Sequence, residues 1–274
     1  MPFVRSILGR TGIEVCRIGL ASSYGAPAAT VEQAFDHGVN YFYWGTFRRG
    51  GFGQGLRQLA PDRDRFVLVV QSYSRLATLV GPSLERALRT LDFDYTDVLL
   101  LGLWNSTLPP RILDACRKLR DRGLVRHLAV STHNRGLIPK LASDSDIDIF
   151  HVRYNAVHRG AEVEVFPRLP KENPPGIVSF TATSWRQLLG HKRIPSGEKI
   201  PTATDCYRFV LTQPPVNVCM TGPANETQFQ QALEALRRGP MSQDELAWMR
   251  RVGDAIHDKV GSASAVGIRE GERG

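Results

Sequence analysis

Residues 66–101 of the chain read FVLVVQSYSRLATLVGPSLERALRTLDFDYTDVLLL and indicate how the chain folds. Two continuous apolar runs, at 67–70 and 98–101, are typical of parallel strands that are buried on both faces. Between them, Leu84, Leu88 and Leu91 recur at helical spacing after Ser83. The stretch therefore predicts a strand, a crossover helix and a second strand parallel to the first.

The same alternation continues in both directions along the chain. Eight strands are predicted, at 17–20, 39–43, 66–71, 97–101, 127–131, 149–152, 176–180 and 217–221. Helices with recognisable starts separate several of them, such as the Pro109-Pro110 start and a capping box at Asn225. Eight strands that alternate with helices predict an α/β protein with the (β/α)8 architecture of a TIM barrel.

The two ends of the chain differ from this pattern. Residues 7–15 predict a β-hairpin with a Gly-containing turn ahead of the first barrel strand. Residues 261–274 are rich in Gly, Ser, Arg and Glu and predict a disordered tail. No linker divides the rest, so we expect residues 1–260 to form a single domain.

The chain has 35 Lys and Arg residues and 27 Asp and Glu residues, which gives a net charge of +8. This excess of positive charge suggests an anionic ligand or a nucleic acid as a possible partner. The densest basic stretch, 111–126, predicts an amphipathic helix with a charged outer face, and no nucleic-acid-binding motif is found. No apolar run approaches the ~20 residues of a spanning helix. The N-terminus lacks the apolar segment of a signal peptide.

The cysteines bear on the compartment and on metal binding. Cys16, Cys116, Cys206 and Cys219 form no C-x-x-C pair, which favours free thiols over a zinc site. We therefore expect a cytoplasmic protein without a bound metal. Its expected partner is a small-molecule ligand and neither nucleic acid nor a membrane, and the sequence leaves the oligomeric state open.

Several short motifs occupy successive places along the predicted barrel. They are LGRTG at 8–12, RIGL at 17–20, GVNYF at 38–42, LDFDYTD at 91–97, GLVR at 123–126, VSTHN at 130–134, RYN at 153–155, GAE at 160–162 and GPMS at 239–242. In this order and spacing, over residues 5–258, they resemble the aldo-keto reductase family. The resemblance implies a barrel whose bottom is closed by the N-terminal hairpin. It also implies a site at the C-terminal mouth, where a nicotinamide cofactor transfers hydride to an aldehyde or ketone.

The resemblance also shows which catalytic residues differ. The family uses an Asp and a Tyr after the second strand, a Lys ending the third and a His ending the fourth. The corresponding positions here hold Tyr43, Arg48, Gln71 and Gly102. A shift of register does not restore the Lys or the His, because the first lysine is Lys118 and no histidine lies between His37 and His127. General acid–base help typically contributes about 10²–10⁴-fold, so ordinary carbonyl reduction is expected to be slow or absent.

Polar and aromatic residues are predicted to occupy the mouth instead. Tyr43 and His133 are candidates for proton handling, and Arg48 for binding a carboxylate or phosphate. The candidate ligand pocket consists of Tyr24, Trp44, Tyr73, Trp104 and Arg153, with Trp44 or Trp104 stacking on a flat ligand. The alternatives are that Tyr43 fills the space left by Gly102 and that His133 is a loop histidine bonded to nearby backbone.

The cofactor positions implied by the resemblance are partly matched. They are Ser131, Thr132 and His151 for the carboxamide, Phe180 for the nicotinamide ring, and Thr181, Gly222, Asn225 and Gln228 for the phosphate end. Gln228, Gln231 and Ala232 stand where the family often has a cation and an acidic–Asn pair. The sequence therefore argues against a preference for NADPH and leaves binding of NADP(H) or NAD(H) open.

Two functions remain open from the sequence. The chain is either a divergent enzyme that acts on a small, anionic organic substrate by a non-standard route, or a catalytically silent barrel that binds a ligand or a regulatory partner.

Overall fold

The structure is a computed structural model that describes residues 1–45, 49–143, 146–191 and 194–267. Its strands are β1 (Ser6–Ile7), β2 (Glu14–Val15), β3 (Ile18–Ala21), β4 (Tyr41–Trp44), β5 (Val67–Ser72), β6 (Thr96–Leu101), β7 (Val125–Thr132), β8 (Ile149–Arg153), β9 (Gly176–Phe180) and β10 (Val218–Thr221). The α-helices of the described residues are α1 (Ala28–Asp36), α2 (Gly50–Gln58), α3 (Ala77–Leu91), α4 (Pro110–Asp121), α5 (Leu137–Leu141), α6 (Ala161–Glu164), α7 (Ala203–Leu211), α8 (Glu226–Arg238) and α9 (Gln243–Gly267).

Strands β3 to β10 close into a barrel in which each strand runs parallel to both of its neighbours. Pairing of β10 with β3 completes the ring. The eight predicted strands and the (β/α)8 architecture are thus confirmed. The short strands β1 and β2 pair antiparallel, which confirms the predicted hairpin.

The hairpin covers the N-terminal end of the barrel. The backbone N–H of Arg10 donates to the Pro174 carbonyl at 2.8 Å, just before β9 begins. Gly9 has φ +48° and lies so close to the Gly176 backbone that a Cβ would overlap it. Leu8 is fully buried among the side chains of the barrel interior. The expected closure of the barrel bottom by the hairpin is therefore confirmed.

Side chains alternate between the barrel interior and the layer between strands and helices. On β4, Tyr41 and Tyr43 pack with the interior residues, whereas Phe42 and Trp44 belong to the cluster against the helices. This is the two-residue period of a β-strand. The interior positions nearest the C-terminal ends of the strands are the ones that can contribute to a site at the mouth.

At the N-terminal end of the barrel, Asp97 near the start of β6 links this strand to its neighbours β5 and β7. Its side chain accepts from the Leu68 backbone N–H at 2.9 Å and pairs with Arg63 at 2.7 Å and Arg126 at 3.1 Å. Only 3% of Asp97 is exposed. This buried carboxylate stabilises the folded barrel through its partners, because removal of those partners would leave an uncompensated buried charge.

The basic helix predicted at 111–126 is present as α4, which ends earlier, at Asp121, and three arginines in or just after it form ion pairs. Arg120 lies 3.1 Å from Asp148, Arg122 lies 2.7 Å from Glu85, and Arg117 pairs with Asp114 at 2.7 Å. None of the helices in the described part of the chain is both long and apolar enough to cross a membrane.

The C-terminal helix is longer than the sequence suggests. α9 continues to Gly267, whereas the sequence predicts a disordered tail from residue 261. The sequence after 261 includes Ala263 and Ala265, and alanine has the highest helix propensity of any residue. Residues 268–274 lie outside the described residues.

Candidate functional site

A cavity of about 870 Å³ opens at the C-terminal ends of the barrel strands. Its wall consists of neutral polar, aromatic and aliphatic side chains, and Arg186 is the one Lys, Arg, Asp or Glu among the described residues that line it. The residues singled out from the sequence that line it are Tyr24, Tyr43, Gln71, Tyr73, Ser131, His151, Phe180, Thr181, Gly222, Gln228 and Gln231. Sequence reasoning therefore found much of the wall, although it also selected residues that lie elsewhere.

Three of the four positions that correspond to the family's catalytic residues, Tyr43, Gln71 and Gly102, lie close together. The Tyr43 hydroxyl donates to Oε1 of Gln71. A Cβ added at Gly102 would overlap the Gln71 amide and the Tyr73 ring. The space beside Gly102 is therefore filled by Gln71 and Tyr73, which corrects the alternative that Tyr43 fills it. The pleat explains this, because Gln71 follows Val69 on the interior face of β5.

The Tyr43 phenol is poorly suited to give up its proton. Burial, followed by the nearby Tyr73, raises the pKa of Tyr43 above its usual value. Gln71, its hydrogen-bond partner, is uncharged and does nothing to stabilise a phenolate. Acid–base work at neutral pH favours a pKa near 7, so Tyr43 is a hydrogen-bond donor rather than a proton source.

His151 lines the deep part of the cavity beneath Tyr43. It is 4% exposed, and its Nε2 lies 2.9 Å from the hydroxyl of Tyr41. Burial lowers the pKa of His151 to about 3 and raises that of Tyr41. Both groups are therefore neutral at neutral pH, and they share one hydrogen bond in the interior of the barrel.

The two tryptophans that were predicted to stack on a ligand do not line the cavity. Trp44 is 3% exposed and Trp104 5%, and both belong to the cluster between strands and helices. Trp44 directly follows the inward-facing Tyr43, so the pleat turns it outward. Arg49 and Arg75 each lie 4.2 Å from the centre of one of these rings, Arg49 over Trp44 and Arg75 over Trp104. The prediction of Trp44 and Trp104 as pocket residues was wrong.

His133 and Arg153 lie at the rim of the cavity and do not line it. The His133 ring centre is 6.3 Å from that of Phe180, and the Arg153 guanidinium is 6.0 Å from the Trp185 ring. Phe180 and Trp185 form the cavity wall at this point. The structure therefore separates His133 from Tyr43, with which the sequence had grouped it, and it moves Arg153 out of the predicted pocket. Arg48 lies outside the described residues.

Two of the predicted cofactor residues are engaged elsewhere. Thr132 is buried, and its hydroxyl donates to Asn105 Oδ1 at 3.2 Å, on the side of β7 away from the cavity. Asn225 caps α8, where its side chain accepts from the Gln228 N–H at 3.0 Å. Gln228 in turn accepts from the Ala224 N–H at 2.9 Å. Neither Thr132 nor Asn225 lines the cavity, and their assignment as cofactor-binding residues stays a prediction.

Part of the wall was missed by the sequence reasoning. The missed residues include Trp185 and Arg186 in the loop after β9, Tyr207 on α7, and Met220 on β10. Thr181, Ser184, Trp185 and Arg186 all have positive φ although none is glycine. Such a loop has no helical or strand period, and its only signal is its place just beyond a strand's C-terminal end.

No cluster of three or more His, Cys, Asp or Glu suited to a metal ion occurs among the described residues. The four cysteines are buried and free.

Fold and cavity together define a TIM-barrel protein with a small-molecule site at its mouth. The profile of the Aldo/keto reductase family matches residues 21–184, and the chain belongs to this family. Family membership indicates an oxidoreductase-type function. No curated protein is similar enough in sequence to match the chain.

Solved structures agree with the fold. The apo and holo forms of the aldo-keto reductase AKR11C1 from Bacillus halodurans each superpose with a TM-score of 0.75 at 19% identity, covering 92% of this chain and 96% of theirs. A putative 2,5-diketo-D-gluconic acid reductase B superposes with a TM-score of 0.72 at 19% identity, covering 92% of both chains. At this identity the likeness concerns the fold.

The family typically uses a nicotinamide cofactor, and the residues present fit one end of it. Phe180 offers a ring face and Ser131 a hydroxyl within the cavity. At the phosphate end, the amides of Ala224 and Gln228 are already satisfied by side chains of their own helix start. No cation stands at the family's position, which is Gln228. The residues fit a nicotinamide ring and do not fit the 2′-phosphate of NADP(H).

Proposed function

We propose that this protein binds a small organic ligand in the cavity at its barrel mouth and does not catalyse carbonyl reduction by the family's acid–base route. The observation that carries the proposal is the hydrogen bond from Tyr43 to Gln71 beside Gly102. It joins two uncharged side chains at positions where the family has an Asp and a Lys, and the fourth-strand position holds Gly102 in place of a His. The cavity itself is retained and lies within the size range of about 300–1,000 Å³ that is usual for ligand sites.

The side chains that line the cavity favour a flat ligand that carries hydrogen-bonding groups. Tyr24, Phe180 and Trp185 supply ring faces, and Tyr43 and Ser131 supply hydroxyls. A site that is apolar or aromatic with a few placed polar groups is the usual arrangement for orienting a small organic molecule. Because Arg186 is the one charged side chain among the described residues of the wall, we expect most of the ligand body to be uncharged.

A second candidate is an oxidoreductase that works by a non-standard route with NAD(H). Phe180 and Ser131 favour it, because they lie in the cavity at positions where the family holds the nicotinamide. In this case a bound nicotinamide would supply the hydride, Tyr43 would only donate a hydrogen bond to the carbonyl oxygen, and solvent water would supply the proton that completes the alcohol. Rates are then expected to be lower by the acid–base contribution, about 10²–10⁴-fold.

The compartment and partners expected from the sequence remain proposals. The buried free cysteines support a reducing cytoplasm, and the paired charges of α4 support the expectation that nucleic acid is not a partner. The single-domain organisation of residues 1–260 also remains an expectation.

The test combines a binding assay with a turnover assay. Benzamide, a flat neutral amide, is titrated while the emission of the protein is followed, and benzaldehyde is offered with NADPH and with NADH. We expect benzamide to quench the emission saturably, and we expect Tyr43→Phe to weaken this binding. The matched control is Tyr95→Phe, which is expected to leave binding unchanged. Tyr95 lies beside Arg63 and Arg126 at the other end of the barrel. Benzaldehyde turnover is expected to stay at the protein-free rate with both cofactors.

The outcomes separate the two candidates. Turnover with NADH that Tyr43→Phe reduces only modestly supports the non-standard oxidoreductase. Turnover with NADPH that Tyr43→Phe abolishes contradicts the absence of acid catalysis. Absence of saturable quenching by benzamide contradicts the ligand-binding proposal.

A further inference from the structure

A group of basic side chains lies just outside the cavity wall formed by Phe180 and Trp185. Arg153 at the end of β8 lies 6.0 Å from the Trp185 ring, and His158 lies 6.3 Å from the same ring. His133, beyond β7, lies 6.3 Å from Phe180 on the same side. Three basic residues from separate parts of the chain therefore gather around two aromatic rings. We call Arg153, His133 and His158 the rim cluster.

His257 and Arg135 border the rim cluster. His257 on α9 lies 5.9 Å from His158, ring centre to ring centre. The Arg135 guanidinium passes over Gly160, where a Cβ would collide with it. Together with the rim cluster, these residues make one basic patch on this face of the mouth.

Three acidic residues near the patch have cationic partners outside the rim cluster. Arg135 pairs with Glu164 at 2.7 Å, Arg159 with Asp254 at 2.6 Å, and Arg250 with Glu162 at 2.8 Å. Among the described residues, Arg153 makes no ion pair. The three histidines of the patch likewise have no acidic partner within hydrogen-bond distance in the described part of the chain. The rim cluster thus lacks a counter-charge that its neighbours possess.

The electrostatics of the rim cluster agree with this geometry. Burial and then Arg153 lower the pKa of His133. Burial, followed by Arg153 and His257, lowers the pKa of His158 to about 4. Burial and then Arg135 lower the pKa of Arg153. Each of these shifts reflects a charged form that is disfavoured by lost solvent and by neighbouring positive charges, and a bound anion would offset the repulsion between those charges.

We propose that the rim cluster is a second binding site, separate from the cavity, that holds the oxyanion of a phosphate or carboxylate group. Arg153 offers a planar fork of N–H donors, which matches the oxygens of either group in a bidentate manner. His133 and His158 supply further ring N–H donors, and Trp185 shields one side. The inference does not depend on what the cavity binds.

The site is tested by NMR titration of the imidazole signals with sodium sulfate and, separately, with sodium acetate, at constant ionic strength set with sodium chloride. Sulfate stands for a phosphate group and acetate for a carboxylate. We expect saturable shifts of the His133 and His158 signals, with the exposed His37 as an internal reference that does not move. The tighter of the two anions identifies the group that the site prefers.

Arg153→Gln is expected to weaken anion binding at least about tenfold, the effect of losing one charge-assisted contact of ~1.4 kcal/mol. The matched control is Arg159→Gln, because this nearby arginine is already paired with Asp254 and is expected to leave binding within about twofold. Benzamide quenching is expected to be the same in both variants, so failure of this site and failure of the cavity proposal are distinguishable.

Two results overturn the inference. One is a shift of the His133 and His158 signals that rises linearly with either anion and matches that of His37. The other is equal affinity in the wild-type protein and Arg153→Gln. If Arg153→Gln lowers the folded fraction, His158→Gln is the second variant. It is expected to weaken anion binding while the His133 signal still reports it, and unchanged binding in His158→Gln contradicts the role of the cluster.

Discussion

The buried imidazole of His151 makes the stability of the barrel depend on pH. In the unfolded chain a histidine has a pKa of about 6.5. In the folded protein burial lowers the pKa of His151 to about 3. Between these two values the unfolded state takes up a proton that the folded state does not, so the free energy of unfolding falls as the pH falls. Between about pH 7 and about pH 4.5 this loss amounts to about 2.5 kcal/mol, at ~1.36 kcal/mol for each unit of pKa difference.

Replacement of the imidazole isolates this contribution. His151→Gln keeps a side chain that can accept a hydrogen bond from Tyr41 and cannot be protonated in this range. Urea denaturation at a series of pH values measures the free energy of unfolding of both proteins. We expect the wild-type protein to lose about 2.5 kcal/mol more than His151→Gln over this interval.

The control and the refuting outcome are both defined by the same titration. His37→Gln changes an exposed histidine and is expected to leave the wild-type pH dependence in place. Other titrating groups contribute equally to wild type and His151→Gln, so only the difference between the two curves is interpreted. Parallel curves for these two proteins contradict a neutral, buried His151.

Two further substitutions test the packing at opposite ends of the barrel. Gly102→Ala is expected to displace the Gln71 amide and break its hydrogen bond with Tyr43, at a cost of about 1 kcal/mol; an unchanged melting temperature contradicts the packing described. Asp97→Asn weakens the contacts with two arginines and is expected to cost about 3 kcal/mol in urea denaturation. The matched change at an exposed ion pair, Asp114→Asn, is expected to cost less than about 1 kcal/mol, and equal effects at the two sites contradict the role of Asp97.

The fold could be predicted because its strongest signals are local. The apolar run at 98–101 has no polar position, which is what a strand covered by helices outside and by side chains inside requires. Gly9 and the residues around it indicated a turn, and the structure places that turn against the bottom of the barrel. Such signals depend on neighbouring residues and not on distant ones.

The site was only partly predictable, for two physical reasons. The first is the pleat: Trp44 adjoins Tyr43 in sequence but faces the opposite side of the sheet. Applying the two-residue period to β4 would have excluded it. The second is the loop after β9, where Trp185 reaches the cavity through a run of positive φ angles that no periodicity records.

At the mouth, the positions of Tyr43, Gln71, Tyr73 and Gly102 depend on one another. A histidine at 102 would need the volume that Gln71 and Tyr73 occupy. A lysine at 71 would be a buried cation, and the group beside it would be the uncharged phenol of Tyr43 rather than a carboxylate. Such an unpaired buried charge destabilises the folded state. No single replacement therefore leads back to an acid–base site without passing through a collision or an uncompensated charge. This interdependence supports a binding function for the mouth, because the present residues stabilise one another only as an uncharged, hydrogen-bonded group.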